Sequence, residues 1–439
     1  MTLNFTPSHD EPLSLTQAQE AISSCVENFL SVQMSPTQTV ALEHAFGRVL
    51  AQEIISPIHV PAYTNSAMDG FAFQMPKALA PRGEVQRFKI VGVSFAGQPF
   101  TGTIGPQECI KIMTGAMVPN TLDTVAPLEA VETSKPASDG LSTGQASIGD
   151  FIDIDTSRFH LGANRRLRGE DIAKGDCVLP RGHRLHAASM GLIASLGFAQ
   201  VQVKAKLRVA VFSTGNELLK PGEDLKESMI YDSNRFSLMG LLKRLDCEVL
   251  DWGIVPDQAT ALEHTLREAA QTCDVIITSG GVSDGDADFT HALMKKMGDV
   301  RFCKIAIRPG RPLAFGTLGK SLFFALPGNP VAVMVTFLSL VRPALFELMG
   351  LSDEHALENS SLRAQCEVDI VKKPGRTEFQ RGVMQVNARG ELWVSPSVQQ
   401  GSGILSSMVQ GNCLIVLAHD QEGVIAQEWV KVWPLEGLI

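Results

Sequence analysis

The feature that most constrains the fold is a change of period. From Leu207 to about Met349, β-branched and apolar runs alternate with amphipathic ones: LRVAVFS, SNRFSLMGLLKRL, CEVLDWGIV, TALEHTLREAAQ, DVIITS and DADFTHALMKKM. Then come FCKIAI, LAFG, SLFFAL and a helical run from Pro330. Alternation of this kind builds a largely parallel, doubly wound sheet with helices on both faces. Ligands bind such sheets beyond the carboxyl ends of the strands.

Four turns belong to that edge: STGNEL from Ser213, SGGVSDGDADF from Ser279, RPGRP from Arg308 and LPGNPVAV from Leu326. Glycine lets backbone N–H groups approach a ligand, and helix N-termini attract anions. The substrate-binding candidates at and beside these turns are Ser213, Thr214, Gly215, Ser279, Gly280, Gly281, Ser283, Lys304, Arg308, Pro327, Gly328, Asn329 and Pro330. Neither G-x-x-x-x-G-K-[ST] nor G-x-G-x-x-G occurs at these turns, which excludes a P-loop NTPase and an ordinary dinucleotide fold.

Acids crowd the same turns. Asp284, Asp286 and Asp288 stand at alternate positions, and Glu217 follows the first glycine turn. A carboxylate 4 Å from a phosphate oxygen repels it by about 4 kcal/mol at an effective dielectric near 20. A divalent cation between them reverses the sign, and Mg²⁺ takes a few carboxylate oxygens while bridging phosphates. Glycine turns plus acids thus point to a metal-assisted phosphate site suited to cleaving a phosphate bond. A structural reading competes: Ser283, Asp284 and Asp286 equally suit a helix cap, and Glu217 a first-turn acid. Lys304 and Arg308 are surface charges unless the turns bind phosphate.

The rest of the chain reads as further domains, since 439 residues exceed one ordinary core. Residues 1–56 carry helical signals: within SLTQAQEAISSCVENFL, Ser14 can cap a helix and Gln17 sits where a capping box needs it, and VALEHAFGRVLAQEI fits a second helix. Residues 57–160 are a β-rich inserted module of short apolar runs between glycines and prolines. Residues 161–206 turn basic, regain a helix in AASMGLIASLG and return to the first domain; 207–352 are the α/β domain. Residues 353–439 read as a small β domain. The fold class is multidomain α/β and β, with a discontinuous helical and mixed N-terminal domain.

Composition excludes some functions. The net charge of −9 argues against non-specific nucleic-acid binding. The apolar stretch SLFFALPGNPVAVMVTFLSLV is broken by Pro-Gly-Asn-Pro, leaving a remainder too short to span a bilayer. No secretory signal is visible in MTLNFTPSHDEPL, and eight cysteines without a CxxC pair fit reduced thiols in the cytoplasm.

Two constellations lie outside the α/β domain. YTNSAMDGFAF and IKIMTGAMVP place Asp69 and Thr114 in polar turns, which on local pattern are ordinary turn residues. NRRLRGEDI sets Arg165, Arg166 and Arg168 ahead of Glu170 and Asp171, either as an anion site or as a charged turn with local ion pairs.

The motifs SAMDGFA, IMTGAMVP, GANRRLRGEDI, STGNEL, YDSNRFSL, SGGVSDGDADF, IRPGRPLAFG and LPGNPVAV, in this order, resemble the molybdopterin molybdenumtransferases. That is the MoeA family, related to the C-terminal domain of gephyrin. The resemblance implies four domains, an elongated homodimer, and Mg²⁺-dependent insertion of molybdate into adenylylated molybdopterin with release of AMP. It implies metal and phosphate roles for Asp288 and Glu217, further active-site roles for Asp257, Asp171, Asp69 and Thr114, and a rigid turn at Pro327 and Pro330. Asn216 stands where aspartate is common, and Arg308 and Arg311 where lysines are common; arginine keeps the charge but changes its geometry.

Two other readings stay open: a molybdopterin adenylyltransferase, whose fold the 207–350 segment resembles, and a gephyrin-like scaffold without turnover. A molybdopterin adenylyltransferase and apo-molybdoenzymes are candidate partners.

Overall fold

The computed structural model describes residues 11–33, 36–76, 85–133, 146–281, 293–351 and 361–439. The chain divides into two compact units. One comprises Met1–Gln52, Arg181–Ala187 and Gln200–Ile439; the other comprises Glu53–Pro180 and Ala188–Ala199.

The first helix of the larger unit, α1 (Leu15–Val32), starts where its cap predicts. Ser14 Oγ accepts from the Gln17 amide at 3.2 Å, and Gln17 Oε1 accepts from the Ser14 amide at 2.8 Å. Its Ala18, Ile22 and Val26 are buried. The second helix expected at VALEHAFGRVLAQEI does not form. Thr37–Ala41 is a strand paired antiparallel with Gln200–Lys204, followed by a single 3₁₀ turn, Leu42–His44. Thr37, Thr39 and Val40 are β-branched, and a distant partner strand satisfies their backbone, so tertiary pairing overrides the local spacing.

The α/β sheet is built from β1 (Arg208–Thr214), β2 (Glu248–Val255), β3 (Val275–Ser279), β4 (Gly298–Lys304), β5 (Pro312–Leu318) and β6 (Ser321–Leu326). Their order is β2-β1-β3-β6-β5-β4. The first four run parallel; β5 and β4 are antiparallel additions at one edge. β3 and β6 are buried at every position, which is why they read as unbroken apolar runs. Alternate residues serve opposite faces. Val209, Val211, Ile277 and Phe324 pack with Ile22 of α1 and with Leu238 and Leu242 of α2 (Asn234–Arg244). Ala210, Phe212, Ile276 and Phe323 pack with Leu262 and Leu266 of α3 (Ala259–Thr272).

After β6 comes α4 (Pro330–Thr336), which continues through a π turn, Phe337–Val341, into α5 (Arg342–Met349). Pro-Gly-Asn-Pro therefore precedes the helix rather than shortening it. Among the described residues, Pro330–Met349 is one helix of 20 residues, long and apolar enough to cross a membrane, yet 89% of that apolar window is buried inside the protein. It is a core helix of the α/β layer.

The C-terminal strands close into a five-stranded barrel. Thr377–Val386, Leu392–Pro396, Leu362–Cys366, Trp429–Pro434 and Cys413–Leu417 follow one another, and the last pairs back with the first. Ala364, Val394, Ile415 and Val432 fill its interior. A short strand from the α/β domain, Ile307–Arg308, adds in parallel beside Thr377 and Glu378.

The smaller unit centres on a six-stranded sheet in the order Thr124–Pro127, Gly70–Phe73, Glu108–Ile112, Val85–Ser94, Phe151–Asp155 and Val131–Thr133. One pair, Val85–Ser94 with Glu108–Ile112, is parallel; the others are antiparallel.

Candidate functional site

Register sets the site. Ser213 lies opposite Ser279, Thr214 opposite Val255, and Ser279 opposite Leu326, so β1, β2, β3 and β6 end level. Their turns open on one edge. The antiparallel β5 begins at that edge, which brings the Arg308–Pro312 turn alongside.

A cleft of about 740 Å³ occupies this edge. Thr214, Gly215, Glu217, Asp257, Gly280, Gly281, Arg308, Pro327, Gly328 and Asn329 line it. Two glycines are structurally required. A side chain at Gly280, whose φ is +95°, would place its Cβ 2.5 Å from the Thr214 carbonyl oxygen. Gly215, at a φ of +152°, has a backbone that side chains rarely adopt, and the Glu217 carboxylate folds over it, with Oε2 2.6 Å from where a Cβ would stand. The neighbouring turn is tied in: the Asp257 amide donates to Asn216 Oδ1 at 3.3 Å. Asparagine here keeps the acceptor that an aspartate would offer, but not the charge.

The same cleft is basic as well. Arg308, Arg311 and Arg376 line the cleft. Glu378, 3% exposed, accepts from Arg376 Nε at 2.9 Å and lies 3.7 Å from Arg308 Nη1. One buried carboxylate holds Arg376 by a hydrogen bond and attracts the exposed Arg308, and two guanidiniums against one carboxylate leave a net positive charge. The cleft thus offers cationic forks, which suit oxyanions, beside Glu217 and Asp257, which supply hard oxygen donors.

Other expected residues stand elsewhere. Ser213 is buried and donates to Asp232 Oδ1 at 2.9 Å. Ser279, also buried, donates to the Pro327 carbonyl at 3.2 Å. Both serve the scaffold behind the cleft wall. Lys304 ends β4 opposite Pro312, and its carbonyl accepts from the Leu13 amide at 2.8 Å; it is absent from the cleft lining. Pro330 is the first residue of α4, where a missing N–H costs nothing. Ser283 and Asp288, with Asp284 and Asp286, lie outside the described residues.

Asp69, Thr114 and Asp171 belong to the smaller unit. The structure brings the first two together: the Thr114 amide and hydroxyl both donate to Asp69 Oδ1, each at 2.7 Å. The amide first and the hydroxyl second hold the Asp69 carboxyl below its ordinary range. Three motifs distant in sequence meet here. Asn65–Ser66 pairs with Arg165–Arg166, and the Gly115 amide donates to the Ser66 carbonyl at 2.8 Å. Asp171 is exposed on the loop that follows, with its amide on the Val60 carbonyl at 3.1 Å.

The barrel's share of the cleft was not anticipated. Arg376, Gln400, Gly401 and Ser402 line it, and the Val331 amide at the start of α4 donates to the Ser402 carbonyl at 3.0 Å. No local motif marks these residues, because a strand pairing far from them in sequence brings them in. Asn234 lies within YDSNRFSL, where no local pattern sets it apart from its neighbours.

Residues 13–197 match the family described as the MoeA N-terminal region (domain I and II), residues 210–347 a probable molybdopterin binding domain, and residues 363–435 the MoeA C-terminal region (domain IV). A molybdopterin molybdenumtransferase of Haemophilus influenzae is 41% identical over 406 residues, covering 92% of this chain and 96% of that protein. One from Staphylococcus aureus (strain MSSA476) is 29% identical over 416 residues, 94% of each. The crystal structure of a molybdopterin biosynthesis MoeA protein from Pyrococcus horikoshii is similar at a TM-score of 0.76 and 26% identity, covering 94% of this chain and 98% of that one.

Proposed function

The chain belongs to the molybdopterin molybdenumtransferase family, and from that premise we propose that it inserts molybdate into adenylylated molybdopterin and releases AMP. The observation that carries the reading is the cleft itself: glycine turns, two acids and three arginines around one opening at the carboxyl edge of the sheet.

The chain's residues divide the work. Arg308, Arg311 and Arg376 receive anionic groups, with Glu378 holding two of them in place. The turns at Gly280–Gly281 and Pro327–Asn329 let phosphate oxygens approach backbone. Among the described residues no three acids, histidines or cysteines cluster to hold a metal ion; Glu217 and Asp257 stand on the opening, and with Asp288 added the carboxylates Glu217 and Asp288 would hold Mg²⁺. When bound, Mg²⁺ supplies charge neutralisation between carboxylates and phosphate oxygens. Asp69, Thr114 and Asp171 complete the site as part of a homodimer. A molybdopterin adenylyltransferase as supplier and apo-molybdoenzymes as recipients follow from the chemistry of substrate and product. Eight free thiols fit a reducing compartment, the cytoplasm.

The test is product analysis after incubation with adenylylated molybdopterin, Mg²⁺ and molybdate. AMP and molybdenum-loaded product are expected in equal amounts. Net adenylylation from molybdopterin and ATP, or no turnover at all, would overturn the reading.

A further inference from the structure

We infer that the segment Asp232–Arg235, and Asn234 above all, is the positioning element for the cleft, holding in register the strand ends from which its turns depart. This rests on the cleft being the reactive site.

The connections reach all four parallel strands. Asp232 Oδ1 accepts from Ser213 Oγ at 2.9 Å, which holds the end of β1. Asp232 also pairs with Arg235 Nε at 2.8 Å, and Arg235 Nη1 reaches Asp251 on β2. The Asn234 side-chain amide donates to Ser279 Oγ at 2.8 Å, at the end of β3, and to the Gly328 carbonyl at 2.6 Å, in the turn after β6. Ser279 in turn donates to Pro327. The segment and the residues just before it are joined to the first turn as well: the Ile230 amide donates to the Glu217 carbonyl at 2.8 Å, and the Asp232 amide to the Leu219 carbonyl at 2.9 Å.

Asn234 shows what this side chain is kept for. Its nitrogen serves two turns, whereas its Oδ1 is buried without a partner among the described residues. Swapping oxygen and nitrogen would face the oxygen with the Gly328 carbonyl, so the donors fix the orientation. An unmatched acceptor is tolerated to join the Gly280 and Gly328 turns through one group. Chain connectivity alone would let these turns move independently, since 48 positions separate Ser279 from Pro327. The gap between the turns is where the phosphate groups of the proposed substrate would sit, and a misplacement near 1 Å there costs on the order of a hundredfold in rate.

The test uses full-length Asn234→Asp and Asn234→Ala, with Ser237→Ala as control. Asn234→Asp keeps the size but replaces two donors by a carboxylate facing the Gly328 carbonyl. Among the described residues the Ser237 hydroxyl donates to the Ser233 carbonyl, the cap of its own helix, and to neither turn, so it controls for loss of a hydroxyl near the segment without loss of the Asn234 donors. Both Asn234 variants are expected to lower kcat for AMP release on the order of ten- to a hundredfold, with a smaller change in KM. Hydrogen exchange should quicken at Gly280–Gly281 and Gly328–Val331 while other core peptides keep wild-type protection; Ser237→Ala should change neither. Unchanged exchange at both turns, or activity lost only in proportion to unfolded protein, overturns the inference. If wild type itself releases no AMP, the proposed function fails, and the exchange comparison still decides whether Asn234 couples the turns.

Discussion

Two hydrogen bonds from one threonine set the charge of Asp69. Both Thr114 donors bind Oδ1 and lower the carboxyl's pKa, the backbone amide more than the hydroxyl. A carboxyl depressed in the folded state adds stability above its unfolded pKa and loses it as pH falls through the folded value. The amount is small here, because Asp69 is exposed and solvent screens it. The functional consequence is larger: Asp69 stays anionic at pH values where an ordinary carboxyl has begun to protonate. Thr114→Val removes the hydroxyl and keeps the amide, so the Asp69 pKa should rise part of the way back. Carbon-13 NMR titration of the carboxyl checks this, and an unmoved midpoint would show that the hydroxyl contributes nothing. Glu217→Gln tests the other unit. It preserves shape at an exposed position, so the thermal midpoint should hold. AMP release should fall on the order of a hundredfold, the scale of losing one preorganised electrostatic partner. Wild-type turnover at limiting Mg²⁺ would remove Glu217 from the metal role.

At the scale of elements, the cleft is a set of turns packed backbone to backbone, and Gly280 is where that packing is tightest. Gly280→Ala would push a methyl group to 2.5 Å from the Thr214 carbonyl oxygen at a φ of +95°. We expect a loss of about 1–3 kcal/mol from strain, seen as a lower denaturant midpoint, together with lost activity in the fraction still folded. A variant of wild-type stability would mean that the turn has room the geometry denies it. These turns were legible in the sequence because glycine and proline mark them and because buried parallel strands read as continuous apolar runs: VIITS and SLFFAL could be nothing else in an α/β alternation. Two kinds of element were not legible. Val40 to Ile54 has spacing near that of a helix, and only its pairing with Gln200–Lys204 makes its first part a strand. Arg376, Gln400 and Ser402 reach the cleft because Ile307–Arg308 adds beside Thr377 and Glu378. Nonlocal pairing of that sort leaves no local pattern. Ser213 and Ser279 were placed at the correct strand ends, but a strand end has an inward and an outward side, and both hydroxyls point to the scaffold.

At the scale of the whole molecule, the residues proposed to act together are divided between two compact units. Glu217 and Asp257 belong to the larger, Asp69 and Thr114 to the smaller. The elongated homodimer that the family resemblance implies offers a way to unite them: the smaller unit of one subunit completes the cleft of its partner. We propose this arrangement, and complementation tests it. Asp69→Ala and Glu217→Ala homodimers should each be inactive, since every site in them lacks one essential group. After subunit exchange, a hybrid dimer has one site carrying both defects and one carrying neither. Random exchange makes about half of the dimers hybrid, each with one good site of two, so roughly a quarter of wild-type activity should return. Native mass spectrometry of the mixture reports whether hybrids have formed. Hybrids present with activity still at zero would place the complete site within a single subunit. Activity returning in step with the hybrid fraction would assign Asp69 and Thr114 to the partner's cleft.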